Sequence, residues 1–275
     1  MEVRDKLVVV TGAASGIGAA CAGLFAAEAA RRVVCADLDE SGARTVARRI
    51  NEALGRDLAV GMRCDVGQED SVRSLIDEVG ESDGVIDLYF ANAGVASLSD
   101  PLTADEVWER AWRVNTMAHV WAARHLLPAW LDRGEGYLVT TASIGGILTA
   151  LGDAAYTTTK HAAVGFAEWM AITYGDRGVR VSCLCPAGVS TPLLAVFTGV
   201  ETAKDTVLRV AGDVMQPDEA ARRVVAGIRD EATLILTHPE MQVFMERKVS
   251  DHGRWIGGMI RQWRLQREAQ GPAGP

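Results

Sequence analysis

The sequence predicts an α/β protein, a Rossmann-type doubly wound parallel sheet of about seven strands in a single domain. Three observations carry that expectation. Short apolar runs alternate with longer helical stretches from residue 6 to residue 236, with no repeat and no linker between them. The first run ends in a glycine-rich turn that opens a helix, Thr11-Gly12-Ala13-Ala14-Ser15-Gly16-Ile17-Gly18. Residues with useful chemistry recur at the ends of the runs, and the carboxyl ends of the strands are where an open parallel sheet binds ligands.

Residues 6–11 read as the first strand, followed by an alanine-rich helix to about Ala30. Glycines 12, 16 and 18 let the backbone approach a pyrophosphate that rests on the orphan N–H groups of the helix N-terminus. Ser15 and Ile17 belong to the same turn and join the candidate cofactor contacts. The second strand, Arg32 to Ala36, ends at Asp37. An acid about twenty positions past the glycines accepts hydrogen bonds from the ribose hydroxyls of NAD. It would repel the 2′-phosphate of NADP. Leu38-Asp39 follow, and no lysine or arginine stands in the glycine loop or directly after Asp37, so NAD is favoured over NADP. The competing role for Asp37, capping the next helix, can be filled by Asp39 or Ser41.

The alternation continues with a helix over 41–54, a strand from Leu58 to Cys64 ending at Asp65-Val66, and a helix near 68–80. A strand from Val85 to Phe90 runs into Ala91-Asn92-Ala93-Gly94, whose small residues suit a loop close to a ligand. A long helical stretch from about Thr103 to Leu131 carries Trp108, Trp112, Trp121 and Trp130, read as packing or subunit contact. Asn115 lies inside it, where an amide is a poor helix former unless it bonds to something. The strand Gly136 to Thr141 reaches Ala142-Ser143 and the apolar loop Ile144-Gly145-Gly146-Ile147-Leu148. The next helix runs to about Tyr174, and the strand Val179 to Cys185 meets Pro186-Ala187-Gly188-Val189-Ser190-Thr191.

Residues near 190–215 are mixed and partly apolar, which suggests a lid over a substrate. A helix near 217–230 and a strand Thr233 to Leu236 close the sheet. The chain beyond Pro239 reads as helical to about Arg267 and ends in a flexible Gly271-Pro272-Ala273-Gly274-Pro275. Residues 1–240 are therefore expected to form the dinucleotide-binding catalytic unit, and 241–275 a helical C-terminal extension.

Tyr156 and Lys160 stand four apart at the start of a helix and share a face. An ammonium beside a phenol favours the phenolate and should bring the tyrosine down from its ordinary value of about 10. Such a phenol exchanges a proton with a substrate oxygen near neutral pH. Asp153, three residues earlier, either caps this helix or touches a polar substrate group, and capping is favoured.

The bulk numbers exclude several classes. A net charge of −8 and a pI near 5.2 argue against a nucleic-acid partner, which needs a basic face. No run reaches about eighteen apolar residues, so no membrane span is expected. The N-terminus leads straight into a strand without a signal-peptide apolar region, which points to the cytoplasm. The five cysteines are odd in number and scattered over strands and a helix, unlike a disulfide framework. Cys183 and Cys185 alternate onto one strand face, yet no second pair has zinc-ligand spacing, so no metal is expected. His119 and His125 are six apart on a helix, share no face well, and read as structural or solvent-facing.

Taken together, TGAASGIG at 11–18, Asp37, Asp65-Val66, Asn92-Ala93-Gly94, Asn115, Ser143, Tyr156 with Lys160, and Pro186 with Thr191 resemble the short-chain dehydrogenase/reductase family over residues 5–240. The resemblance implies Tyr156 as general acid/base and Lys160 as the residue that holds the nicotinamide ribose and lowers the tyrosine pKa. It implies that Ser143 hydrogen-bonds the substrate oxygen and that Asn115 anchors a water in a proton relay. Asp37 with Leu38 would bind the adenosine ribose, and Asp65 and Val66 the adenine. Asn92, Ala93, Gly94, Pro186, Val189 and Thr191 would line the cofactor.

Ser143, Gly145, Ile147, Leu148, Tyr156, Leu193 and Phe197 would surround an apolar alcohol or ketone. Ala187 stands where the family commonly has glycine. The implied activity is NAD-dependent interconversion of a secondary alcohol and a ketone in a homotetramer or homodimer. The alternatives are an NADPH-dependent ketoreductase of β-ketoacyl or polyketide type, opposed by Asp37, and a non-catalytic nucleotide-sensing protein, opposed by the intact Asn115, Ser143, Tyr156 and Lys160.

Overall fold

A computed structural model describes residues 1–198 and 214–269. The apolar runs become seven strands, β1 (Leu7–Thr11), β2 (Arg32–Asp37), β3 (Ala59–Arg63), β4 (Leu88–Ala91), β5 (Gly136–Thr141), β6 (Val179–Cys185) and β7 (Leu234–Leu236). They form one sheet in the order β3-β2-β1-β4-β5-β6-β7, and each pairing is parallel. β1, β4 and β5 are buried along their whole length because helices cover both faces, which is why they read as unbroken apolar runs. The strand order reverses between β1 and β4. The crevice at their carboxyl ends is the place such sheets bind ligands.

One layer of helices consists of α1 (Gly16–Ala27), α2 (Glu40–Leu54) and α8 (Pro217–Arg229). Phe25, Ile50, Val224 and Ile228 pack there against the side chains of Val8, Val10 and Leu184. The other layer holds α3 (Glu69–Asp83), α5 (Ala118–Arg133) and α6 (Ala154–Tyr174), which bury Val72, Leu75, Trp121, Trp130, Ala163 and Met170. Trp130 is fully buried, and its indole donates to the Ile86 carbonyl at 2.7 Å. The indole lies so close over Gly136 that an added methyl there would enter the ring. Trp112, in contrast, is 43% exposed.

The structure departs from the expected elements in four places. The fourth strand begins at Leu88, not at Val85, because Ile86 serves Trp130 while the Asp87 carboxylate accepts from Leu7 N at 2.7 Å and pairs with Arg133 at 2.9 Å. The long helix over 103–131 is interrupted: α4 (Asp105–Trp112) passes through a π-helical turn, Arg113–Met117, before α5 begins. The lid segment contributes α7 (Pro192–Thr198), while 199–213 lie outside the described residues. The C-terminal extension is two helices, α9 (Met241–Ser250) and α10 (His252–Ala269). The break falls at Asp251, whose carboxylate accepts from Arg254 N at 2.9 Å and so starts a new helix. Residues 270–275, expected to form a flexible end, also lie outside the described residues. No helix among the described residues is long and apolar enough to cross a membrane.

Candidate active site

A cavity of about 1060 Å³ opens at the carboxyl ends of the strands. That is at the upper limit of roughly 300–1,000 Å³ for small-molecule sites, enough for a large ligand and a second small one. Its floor is the turn after β1. Gly12 and Gly16 have φ of +68° and +55°, a region that side chains disfavour. A Cβ on Gly12 would come within 2.9 Å of Ala93 Cα, and one on Gly18 would collide with the Gly12 carbonyl. The loop is therefore pressed between α1 and the end of β4, and Gly18 serves that packing without lining the cavity. Ser15 sits at the head of α1 with an extended backbone and makes no side-chain cap bond.

Asn92 braces this floor. Its Nδ2 donates to Thr11 O at 3.0 Å, and its own N–H donates to Thr11 Oγ1 at 3.0 Å. The amide is thus spent on the glycine loop, although Asn92 also lines the cavity with Ala93 and Gly94. At the end of β2, Asp37 accepts from Ala14 N at 2.9 Å and from Asp39 N at 3.0 Å. Asp39, not Asp37, caps α2 by accepting from Gly42 N at 3.0 Å. Leu38, 56% exposed, forms the rim beside it, and Asp65 and Val66 follow β3 along the same wall. Pro186, Val189 and Thr191 close the far side.

Ser143, Tyr156 and Lys160 meet deeper in the cavity. Ser143 leaves β5 extended and heads a short 3₁₀ turn, its Oγ accepting from Gly145 N at 3.0 Å. Tyr156 lies in the first turn of α6, buried, with its ring edge-on to Phe197 at 5.3 Å between centroids. Lys160 Nζ donates to Thr141 O at 2.8 Å and lies 5.7 Å from the centre of the tyrosine ring.

Asn115, fully buried in the π-helical turn, accepts from Val95 N at 2.9 Å. It also donates to Val95 O at 2.9 Å and to Thr159 Oγ1 at 3.1 Å. It lies behind the cavity wall, and its three bonds are what make an amide acceptable inside a helix. Such local widening of a helix is frequent at functional sites.

The expected depression of the Tyr156 pKa is overturned. Burial pushes the phenol up to about 12, outweighing the Ser143 hydroxyl that hydrogen-bonds it and favours the phenolate. The lysine does not offset this, because its ammonium is turned onto the Thr141 carbonyl and is itself driven down to about 8 by burial. The phenol therefore carries its proton at neutral pH. His119, one turn beyond Asn115, is 1% exposed, with both ring nitrogens unpartnered among the described residues. Burial, with the Lys160 charge adding to it, lowers it to about 3, so it is neutral. Cys183 and Cys185 do share one face, Sγ to Sγ 3.8 Å, as buried free thiols.

On the substrate side, Ser143, Gly145, Tyr156, Leu193 and Phe197 line the cavity as expected, while Ile147 and Leu148 do not. Leu148 turns away to pack with Ile144 against Met241, Phe244 and Trp255 of the C-terminal extension. An apolar loop has two apolar destinations, and periodicity does not choose between them.

Three features are absent from the sequence reading. Asp153 does cap α6 at Tyr156 N, 3.0 Å, but it also accepts from Ser97 and Ser99 and from Leu98 N at 2.8 Å. Those bonds hold Leu98, a cavity residue, at φ +50°. Glu106, Glu109 and Arg110 of α4 and Arg113 of the π-helical turn reach the cavity margin. Met259, Trp263 and Gln266 of α10 line it too. Their spacing on one helical face was the only signal available.

The chain matches the family described as short chain dehydrogenase over residues 6–202. It is 36% identical over 232 residues to a protein named momilactone A synthase from Oryza sativa subsp. japonica, covering 80% of this chain and 82% of that one. It is 33% identical over 234 residues to cis-4-hydroxycyclohexanecarboxylate dehydrogenase of Sinomonas cyclohexanicum, covering 84% of this chain and 92% of the relative. Among solved structures, a short-chain dehydrogenase/reductase from Burkholderia phymatum in complex with NAD superposes with a TM-score of 0.81. It is 28% identical, over 91% of this chain and 95% of that one.

Proposed function

The chain belongs to the short-chain dehydrogenase/reductase family, and from that premise we propose that it is an NAD-dependent dehydrogenase interconverting an alicyclic secondary alcohol and its ketone. That it is an oxidoreductase acting on CH–OH donors follows from the family and from its dehydrogenase relatives. The observation that carries the finer reading is the convergence of Ser143, Tyr156 and Lys160 on one cavity whose opposite rim is Asp37. The alicyclic substrate is supported by the relative named for a hydroxycyclohexanecarboxylate and by the apolar lining from Leu193 and Phe197.

The residues present fit a dinucleotide. The floor at Gly12 and Gly16 has room only for a side-chain-less backbone, and the head of α1 carries no side-chain cap. The Asp37 carboxylate suits a ribose diol and opposes a 2′-phosphate. When bound, the nicotinamide supplies the carbon that gives or takes the hydride. The protein's part is the proton and the geometry. Tyr156 holds a proton at its phenol oxygen and gives it to a ketone oxygen; in the opposite direction it is the phenolate, the form that rising pH favours, that takes the proton of an alcohol. Ser143, whose hydroxyl favours the phenolate of Tyr156, bonds the substrate oxygen in this reading. Lys160 provides a positive charge within the wall formed by β5 and α6. Phe197 covers the phenol edge-on and keeps water from it.

Fluorescence titration of the protein with NADH and with NADPH tests the cofactor assignment, and turnover of cyclohexanol with NAD tests the reaction. Tighter binding of NADH and formation of cyclohexanone are expected. A preference for NADPH would replace the reading with ketone reduction, and binding of neither nucleotide would end it.

A further inference from the structure

Beyond β7 the chain folds back over the substrate side of the cavity. Lys248 of α9 donates to the Ile147 carbonyl and, at 3.0 Å, to that of Leu148, the loop that follows Ser143. Its ammonium also lies 4.9 Å above the Trp255 ring. Met241, Phe244 and Met245 pack on Ile144 and Leu148. The extension is thus fastened to the active-site loop by both polar and apolar contacts.

α10 turns one face inward. Apart from Gly257 and Gly258, its less exposed residues are Trp255, Met259, Gln262, Trp263 and Gln266, at the spacing of one helical stripe. Ile256, Ile260 and Leu265 face outward. Met259, Trp263 and Gln266 line the same cavity as Ser143 and Tyr156. The edge of the Trp263 indole rests on Gly152, where an added Cβ would lie 3.5 Å from Cη2 and Cζ3. Gly152 has φ +82°, so the loop before Tyr156 offers the indole a surface with no side chain.

Gln266 is 7% exposed, and its Oε1 has no hydrogen-bond partner among the described residues. A buried carbonyl without a donor is unusual in a folded protein and calls for an explanation such as a ligand. The last side-chain torsion of glutamine is soft, so the amide can turn toward a donor brought into the cavity.

We propose that α10 is the substrate-recognition wall of this enzyme. Trp263 and Met259 receive the hydrocarbon ring of an alicyclic substrate, and Gln266 takes a hydrogen-bond donor, such as a hydroxyl, at the end of the ring remote from the reacting carbon. A flat indole matches a rigid ring, which loses little conformational freedom on stacking. An amide carbonyl left without its partner discriminates against the analogue lacking the donor. The proposal rests on the dehydrogenase reading above, and its test separates the two.

The test titrates cyclohexanone and 4-hydroxycyclohexanone calorimetrically into the enzyme saturated with NADH, alongside turnover of cyclohexanol and 1,4-cyclohexanediol with NAD. Wild type should bind the hydroxyketone about tenfold more tightly or better. In Gln266→Leu that ratio should fall to near one. Trp263→Ala should weaken both ketones about tenfold, and Trp263→Phe should restore most of the affinity, which also guards against loss of fold in the alanine variant. A ratio unchanged in Gln266→Leu, or affinities unchanged in Trp263→Ala, overturns the wall. Turnover without this discrimination leaves the dehydrogenase reading standing and removes the wall. Discrimination in binding with no turnover does the reverse, and binding of neither ketone removes both.

Discussion

Replacing Asp153 isolates a single side chain on which the entrance to the active site depends. The carboxylate is 1% exposed and accepts from Ser97 N, Ser97 Oγ, Leu98 N, Ser99 N, Ser99 Oγ and Tyr156 N, at 2.7 to 3.4 Å. Asp153→Ala removes the acceptor and leaves buried donors unpaired, a change that costs about 3–5 kcal/mol when the lost partner is a buried charge. With unfolding entropy near 2.1 cal/mol/K per residue, a chain of this length should lose about 5–9 °C of Tm. Asp153→Asn should lose a comparable amount, because its NH₂ would face donors.

The left-handed Leu98 would then relax, and Tyr156 would lose the cap that fixes its turn. A displacement of that kind lowers kcat/KM by about 100-fold. The cluster of donors holds the Asp153 carboxyl below the usual carboxylate range against the opposing effect of burial. Its stabilisation is therefore complete above the unfolded value of about 3.9 and disappears as pH falls through the lower folded value. The gap in Tm between wild type and variant should persist at pH 5 to 8 and close only in strong acid. Differential scanning fluorimetry across pH, with steady-state kinetics at pH 7.5, measures all of this. A Tm within about 2 °C of wild type in both variants would refute the reasoning.

Tyr156→Phe should lower kcat by about 10²- to 10⁴-fold with NADH affinity retained, and stopped-flow hydride transfer together with nucleotide titration checks it. Lys160→Met should be at least as stable as wild type at pH 7 while losing nucleotide affinity, since its ammonium is charged at a buried position that drives its pKa to about 8. The unfolded chain holds that proton up to about 10.4, so wild type should gain on the variant as pH rises from 8 to 10, and paired melts at several pH values test the sign. Asp37→Ser should raise the NADPH-to-NADH affinity ratio by about 10- to 100-fold through loss of the carboxylate's repulsion of the 2′-phosphate, with Kd measurements at fixed salt as the check.

The parts of the fold that were legible in the sequence are those in which one local requirement has one solution. Gly12 and Gly16 marked a turn whose backbone must be approached closely, and Asp37 ended a strand with a second acid already available to cap the helix. Ser143, Tyr156 and Lys160 stood at strand ends and helix starts, where a parallel sheet gathers side chains. Quantities set by the tertiary environment were hidden. The spacing of Tyr156 and Lys160 was visible, but their burial was not, and burial reversed the expected shift of the phenol. Asp153 was readable as a cap because that role is local, whereas its hold on Ser97 and Ser99 spans more than fifty residues. The loop at 144–148 was legible as apolar and the chain beyond Pro239 as helical, and only packing decided that Leu148 faces the extension while Trp263 faces the cavity.

The widened turn at Arg113–Met117 also bears on how this part of the gene tolerates insertions and deletions. A π-helical turn contains one more residue than the α-helical turn it replaces, so deleting a residue there would heal the helix. The widened turn takes up the extra residue locally, whereas the same insertion into regular α-helix would rotate everything beyond it by about 100°. A deletion there would leave α4 and α5 in phase and be felt at the turn itself, where Asn115 bonds Val95 and Thr159. The surrounding helix is a reading frame in space, and the widened turn holds the extra residue without shifting that frame.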